Sequence, residues 1–309
     1  MRPAASSRAA GVELPAWWQR RRWSVLAWHG AVYAVLIVVS FVMVLPLYWL
    51  VSSALKPENA IFAYPPTWVP APPTTANFER ALTGRLLEEA TAGDVAQFNL
   101  PLYIRNTLVI IVGNMVFGVT VSTLVAYGLA RMSFRGREIL FYSVIAAMFL
   151  PPVVMIVPRF VIFSRLGLVG TLWPLIVPGL FGYANQIFFL RQFFLAVPRE
   201  LEDAALVDGC SSFRFWWQIL LPLSRPAVAA QLIITFVYHW NDFLDPLIYL
   251  GQSANLRTVQ LAVVQFMDPR NIRYGVLMAY AAVLAAPPLI LFFLAQRVFI
   301  QGIVFTGNK

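Results

Sequence analysis

The sequence predicts an all-α integral membrane protein with six transmembrane helices and both termini in the cytoplasm. Three observations carry this: a composition too apolar for water, six long apolar runs, and arginines gathered on alternate connections. Of 309 residues, 60% are hydrophobic, 15% aromatic and only 12% charged, and the mean hydropathy is +0.71. Soluble domains carry about twice that charged fraction, so the bilayer is the solvent to reason from.

A helix crosses the hydrocarbon core with about 20 apolar residues. The apolar runs are 25–52, 106–131, 138–163, 172–194, 227–250 and 275–298. They are too long and too continuous for the alternating strands of a membrane barrel, and a backbone in lipid must satisfy its own hydrogen bonds, so each run reads as a helix. Arg20, Arg21 and Arg22 precede the first run, and Arg131, Arg135 and Arg137 flank the connection between the second and third. Positive charge stays inside, so residues 1–24 form a cytoplasmic segment and 25–309 the membrane domain. An even number of crossings returns Arg297 and Lys309 to the same side. Arg257, Arg270 and Arg273, in a connection this topology places outside, run against the rule. The first run lacks a small-residue cleavage site and is too long for a removable signal peptide. The net charge of +9 is a topology signal rather than a surface for nucleic acid.

Few residues inside the runs are polar or break helices. Gly118, Ser122, Ala126 and Ala130 recur every fourth residue and give the second helix one small face for close packing. Pro151, Pro152 and Pro158 in the third run, Pro174 and Pro178 in the fourth, and Pro287 and Pro288 in the sixth each remove a backbone donor and predict kinks. Asn241, Asp242 and Asp245 in the fifth run are expensive in lipid. They face either a water-filled path or other helices. Arg159 either snorkels to the interface or attracts an anionic group. The external connection 56–105 opens proline-rich, which predicts extended structure and then a short helix after Thr75. It is either a contact surface for an outside partner or a loop packed on its own helices.

The connection 195–226 is unusually polar. Pro198 can open a helix, Glu200, Glu202 and Asp203 suit its positive dipole end, and Gly209 can end it in a left-handed conformation. Ser211 or Ser212 can cap a second helix through "FRFWWQILLP". Two short helices meeting at a sharp turn follow, lying on the membrane or seated in a partner.

The run "EDAALVDG", followed after nine residues by "ILLP", resembles the EAA motif of ATP-binding-cassette importer permeases. Ala204, Ala205, Gly209, Ile219, Leu221 and Pro222 match the signature, while Asp203 stands where the family has Glu, one methylene shorter. "NTLVIIVGNMVFGVTVSTLVAYGLARMSFRGR", "FFLRQFFLAVPRELEDAALVDG", "WNDFLDPLIYL" and "QRVFIQGIVFTG" extend the likeness from about Tyr48 onward to the carbohydrate-uptake branch, the six-span subunit of maltose-type and glycerol-phosphate-type importers. Residues 83–100 look like extra sequence.

The resemblance implies a bacterial inner-membrane permease that pairs with a second, related permease. Two ATPase subunits that bind ATP and Mg dock below, and an extracytoplasmic solute-binding protein delivers a sugar or sugar derivative. It further implies that Glu202, Asp203, Ala204, Ala205, Asp208 and Gly209 form the coupling helix, both alanines seating in an ATPase groove. Asn241 and Asp242 match common family residues and, with Arg159, are candidates for the translocation path. No cofactor or metal is expected in this chain itself.

Other classes fit less well. Lys56 and Lys309 are the only lysines and follow Leu and Asn, so there is no Gly-Lys pair for a P-loop. An intramembrane enzyme needs facing catalytic groups, whereas the two histidines, His29 and His239, lie in no motif. The alternative, an ion-coupled secondary transporter, predicts two similar halves with matching broken helices, and no such repeat is visible. Cys210, the single cysteine, reads as a small loop residue.

Overall fold

The computed structural model describes residues 16–84, 98–251, 253–267 and 272–304, and among these every regular element is helical. Residues 1–15 of the N-terminal segment, 85–97 of the extra sequence, Arg270 and Lys309 lie outside the described residues. Besides a single turn at Glu58–Ile61, the helices in chain order are α1 (Ala16–Ala54), α2 (Ala76–Thr83), α3 (Leu100–Gly113), α4 (Thr120–Arg131), α5 (Arg137–Met148), α6 (Ile156–Arg165), α7 (Ala184–Ala196), α8 (Glu200–Val207), α9 (Ser212–Leu223), α10 (Arg225–Trp240), α11 (Leu244–Tyr249) and α12 (Tyr274–Val304).

The first, second and sixth runs are unbroken and long enough to cross a bilayer alone, α3 and α4 being joined through a π-turn at Asn114–Val119. In the middle of the chain the prolines deform the runs, as the sequence predicts, but by breaking them rather than by kinking continuous helices. The third run bends by 99° between Met148 and Pro152. Pro151 has no donor there, and local three-residue bonds such as Val154 N–H to the Pro151 carbonyl, 3.0 Å, take over. The fourth run is two 3₁₀ turns around Pro174 and Pro178, and becomes an α-helix only at Ala184. The fifth is the 16-residue α10, which stops at Asn241 and resumes as the short α11. Among the described residues three helices are long and apolar enough to cross a membrane, or up to five if each bent pair is one crossing.

Pro287 and Pro288 leave α12 intact. Pro288 cannot donate to the Leu284 carbonyl four residues earlier, and the Trp240 indole donates to that carbonyl instead, at 2.9 Å. A helix in lipid tolerates proline when a neighbour satisfies the freed group, as here.

The small face of the second span packs as the sequence predicts. Ser122, Ala126 and Ala130 are fully or almost fully buried, and α7 lies against α4 with Ile187, Leu190 and Phe194 in the same apolar cluster. Where the π-turn widens the helix, Asn114 donates to the carbonyls of Ile110 and Leu175, at 2.9 and 2.8 Å, and accepts from the Tyr183 hydroxyl. A Cβ at Gly179 would come within 2.7 Å of the Asn114 amide oxygen, so only glycine allows this approach. In contrast α1 is exposed along almost its whole apolar length, with Val35, Ile37, Phe41 and Met43 bare, as a helix facing lipid or another subunit is.

The proline-rich segment after α1 packs on its own chain. Ser52 and Tyr48 donate to the Trp68 carbonyl, at 2.6 and 2.9 Å. Lys56 is buried, donates to the Thr67 carbonyl and lies 4.2 Å from the Trp49 ring centre; desolvation pushes its ammonium pKa down. Asn77 of α2 closes the loop by donating to the Ala54 and Lys56 carbonyls. Glu58 accepts from the first amides of α12, Tyr274 at 2.6 Å and Gly275 at 3.1 Å, where the dipole favours an anion.

Two substitutions test this packing by thermal unfolding in detergent, read through Cys210 reactivity. Ala126→Leu overfills the α4–α7 contact and is expected to cost about 1–3 kcal/mol. Trp240→Phe, which orphans the Leu284 carbonyl, is expected to cost about 0.6–1.5 kcal/mol. An unchanged midpoint for Ala126→Leu would remove the small-face account.

Candidate functional site

The polar connection folds as an elbow. Arg199 stands at the N-cap of α8, with Pro198 one residue outside the helix. Glu200, Glu202 and Asp203 occupy the first turn, where the helix dipole favours negative charge. The far end closes as a Schellman turn: the Cys210 amide reaches the Ala205 carbonyl at 2.8 Å and the Gly209 amide that of Leu206 at 3.0 Å. Gly209 has φ +76° with nothing within 4 Å of an added Cβ, so a larger residue there would be strained by backbone conformation rather than by collision. The Ser211 hydroxyl then accepts from the Arg214 amide and caps α9. The chain turns by 81° from α9 into α10.

The two faces of α8 differ sharply. Inward, Ala205 is buried against the cluster of Phe215, Trp216, Leu190 and Phe194. Glu202 is also inward: it accepts from the Tyr127 hydroxyl at 3.1 Å and lies 3.7 Å from the Arg131 guanidinium. Arg131, its side chain only 2% exposed, donates to the Phe194 carbonyl at 2.6 Å and to that of Val197. One buried arginine therefore ties the end of α4 to the end of α7 and to α8. Outward lie Asp203, Ala204, Leu206, Val207 and Asp208, with Val207 88% exposed.

These placements revise two sequence expectations. Ala205 cannot meet a partner groove with Ala204, because it already packs within its own chain. Glu202 is a tie to the second span, not an outward contact. A helical wheel locates both faces, but not which one the chain keeps.

The candidate path residues gather at the break after α10. Arg159 neither snorkels nor stands free: its guanidinium meets the Asp245 carboxylate at 3.1 Å. Asp242 accepts from the Asp245 amide at 3.3 Å. Asn241 donates back to the Val237 carbonyl at 2.8 Å and is otherwise exposed. Beside them, between the Met148–Pro152 break, the start of α7 and the last turns of α10, opens a cavity of about 400 Å³. Its polar lining includes Tyr183, Asn185, Gln186, Thr235, Tyr238 and His239, none of which the sequence reading placed in a site. A signal existed: Gln231, Thr235 and His239 recur every fourth residue along apolar α10, and all three are buried. Among the described residues no group of His, Cys, Asp and Glu could hold a metal ion.

Residues 118–304, more than half of the chain, match the family described as binding-protein-dependent transport system inner membrane component. The chain belongs to this family. Over 289 residues it is 32% identical to a probable ABC transporter permease protein, YurM, of Bacillus subtilis (strain 168), across 92% of this chain and 89% of that protein. Over 273 residues it is 30% identical to the arabinooligosaccharides transport system permease protein AraQ of Halalkalibacterium halodurans, across 88% of this chain and 93% of that one. Its fold matches a chain of a bacterial ABC transporter involved in the import of the acidic polysaccharide alginate, with a TM-score of 0.74 at 19% identity, over 87% of this chain and 95% of that one. This member of the family is therefore a helical membrane permease of an ABC transport system, and the secondary-transporter alternative falls away.

Replacing Arg131 with leucine removes the side-chain donor of the Phe194 and Val197 carbonyls and the counter-charge of Glu202, a loss expected to cost about 1–3 kcal/mol. Hydrogen exchange should rise across residues 194–210 before it rises in α3. Unchanged protection there would show that the elbow is held by its apolar cluster alone.

Proposed function

We propose that this chain is one of two related permeases in an ATP-driven importer for a sugar or sugar derivative, set in a bacterial inner membrane with six crossings and both termini inside. The reading rests on the two-faced α8: a short helix tied to its own chain on one side, with Asp203, Ala204, Val207 and Asp208 bare on the other. A segment that only links two spans has no need of such a tie. A segment that transmits force does.

On this reading the outer face seats in a groove of an ATPase subunit, which binds ATP and Mg while this chain binds neither. Closure of the ATPases on ATP pulls α8, and the Arg131 tie passes the movement to α4 and α7 as one body. The paired permeases then flip between inward- and outward-facing arrangements, and a solute-binding protein supplies the sugar from outside. Names such as that of the arabinooligosaccharide relative support the sugar class. Arg159, Asn241 and Asp242 border the path, the first as the partner of Asp245.

Docking and a purely interfacial elbow predict opposite outcomes. Val207→Trp adds apolar surface that a membrane-lying helix would accept and a complementary groove would not. Gly209→Val strains the turn by about 1–3 kcal/mol. Both variants should insert and pair normally, yet lose at least tenfold in ATPase co-purification and uncouple ATP turnover from uptake. Normal ATPase retention and transport in both would overturn the coupling role.

Orientation has its own measurement. With Cys210 replaced by serine, an impermeant thiol reagent applied to intact spheroplasts should label Thr74→Cys and not Ser212→Cys. Labelling of both, or of Ser212→Cys alone, would overturn the topology.

A further inference from the structure

We infer that this subunit itself holds the transported sugar, in the cavity between the Met148–Pro152 break, the start of α7 and the end of α10, and that it selects neutral sugars. The inference rests on the reading of the chain as a sugar-importer permease and adds where the ligand sits and what charge it carries.

The lining is fixed before any ligand arrives. Gln186 donates to the Thr235 hydroxyl at 2.9 Å, and that hydroxyl donates to the Gln231 carbonyl at 2.8 Å, so the amide is held in one orientation. Its oxygen is left buried without a partner, and so is His239 Nδ1. Gln186 is 5% exposed and His239 9%. Buried polar atoms in a low-dielectric interior are seldom left without a partner. A ligand offering hydroxyl groups would satisfy both, since a sugar hydroxyl donates to the Gln186 oxygen and donates to or accepts from His239 Nδ1 according to its tautomer, while another accepts from an amide such as that of Asn185. Tyr183 and Tyr238, which also line the cavity with ring centres 6.5 and 5.0 Å from that of His239, supply apolar ring surface for the C–H faces of a pyranose. The volume of about 400 Å³ falls within the roughly 300–1,000 Å³ of small-molecule sites.

Charge decides the class of sugar. The groups in electrostatic reach of the Tyr183 and Tyr238 hydroxyls are Arg159, Asp242 and Asp245. Arg159 is already paired with Asp245, so among these described groups a second carboxylate remains and no unpaired cation does. A phosphate or uronate would enter against that charge; a neutral polyol would not. Thr235 and His239 lie 10 and 14 residues beyond Arg225 in α10, about 15 and 21 Å of helix rise, so the cavity is well removed from the elbow end of that helix.

The test uses the complete importer in proteoliposomes with its binding protein, and labelled glucose, maltose and trehalose as neutral probes beside sn-glycerol 3-phosphate and an alginate oligosaccharide. At least one neutral probe should show ATP-driven uptake. Gln186→Leu and His239→Phe keep the volume of the side chain and remove its unpaired atom; in complexes that assemble normally by size exclusion, each should raise KM for that probe at least tenfold with a smaller change in kcat. Because one variant can fail to assemble, Thr235→Val, which frees the Gln186 amide, is carried alongside and should raise KM in the same direction. Neutral uptake with KM unchanged in the assembled variants would overturn the inference while leaving the importer reading intact, as would uptake of the anionic probes alone. No ATP-driven uptake of any of the five would overturn the sugar reading itself.

Discussion

The close contact between the small face of α4 and the side of α7 is the constraint on which the arrangement of the middle of the chain depends. Lipid offers no hydrophobic drive between helices, so they hold together through van der Waals contact and a few hydrogen bonds. Ser122, Ala126 and Ala130 are fully or almost fully buried because nothing on them keeps α7 away. At one end of that contact Ser122 accepts from the Tyr183 amide at 3.0 Å, and at the other Arg131 reaches the carbonyls with which α7 ends. The elbow, fastened to the same arginine through Glu202, inherits its position from this pair of helices.

The broken segments follow from the same shortage of backbone partners. Each proline in the third and fourth runs removes a donor, and the chain answers with tight local turns or with a neighbour's side chain. Asn114 serves the Leu175 carbonyl in the broken fourth run, and Trp240 serves Leu284 in the unbroken sixth. These repairs bury polar side chains among the helices, and Tyr183, whose hydroxyl donates to Asn114, extends one of them to the cavity wall.

The apolar runs, the packing face and the elbow were legible in the sequence because each is a local pattern: a length, a four-residue repeat, an acid-rich helix followed by glycine. What was not legible depended on contacts distant along the chain. Glu202 reads as an outward acid until Tyr127, 75 positions earlier, is seen beside it. Arg159 reads as an interfacial cation until Asp245 meets it across 86 positions. Proline announced that the third and fourth runs would deform, but the 99° bend is set by what packs around it. The buried stripe of Gln231, Thr235 and His239 was visible as a pattern; its partner Gln186 comes from another run, and only the fold joins them.

On the proposed coupling role, the division between tied and broken parts bears on how movement at the elbow would reach the cavity. Elbow-proximal residues of α7 and α10, Phe194 and Ala227, lie in one cluster with Ala205, while their opposite ends carry Gln186 and Thr235 to the cavity. The 13 residues of α7 make a rod about 20 Å long. A tilt of roughly 10° about the elbow moves its far end by about 3 Å, on the scale of the helix shifts that switch packed interfaces. The third wall of the cavity, Met148 to Pro152, belongs to the bend between α5 and α6 and has no share in the Arg131 tie. Yet α5 shares the cluster through Phe141, which stacks on Phe188 of α7 with ring centres 6.2 Å apart, so a tilt of α7 that changes the space has to carry α5 with it or slide across that contact.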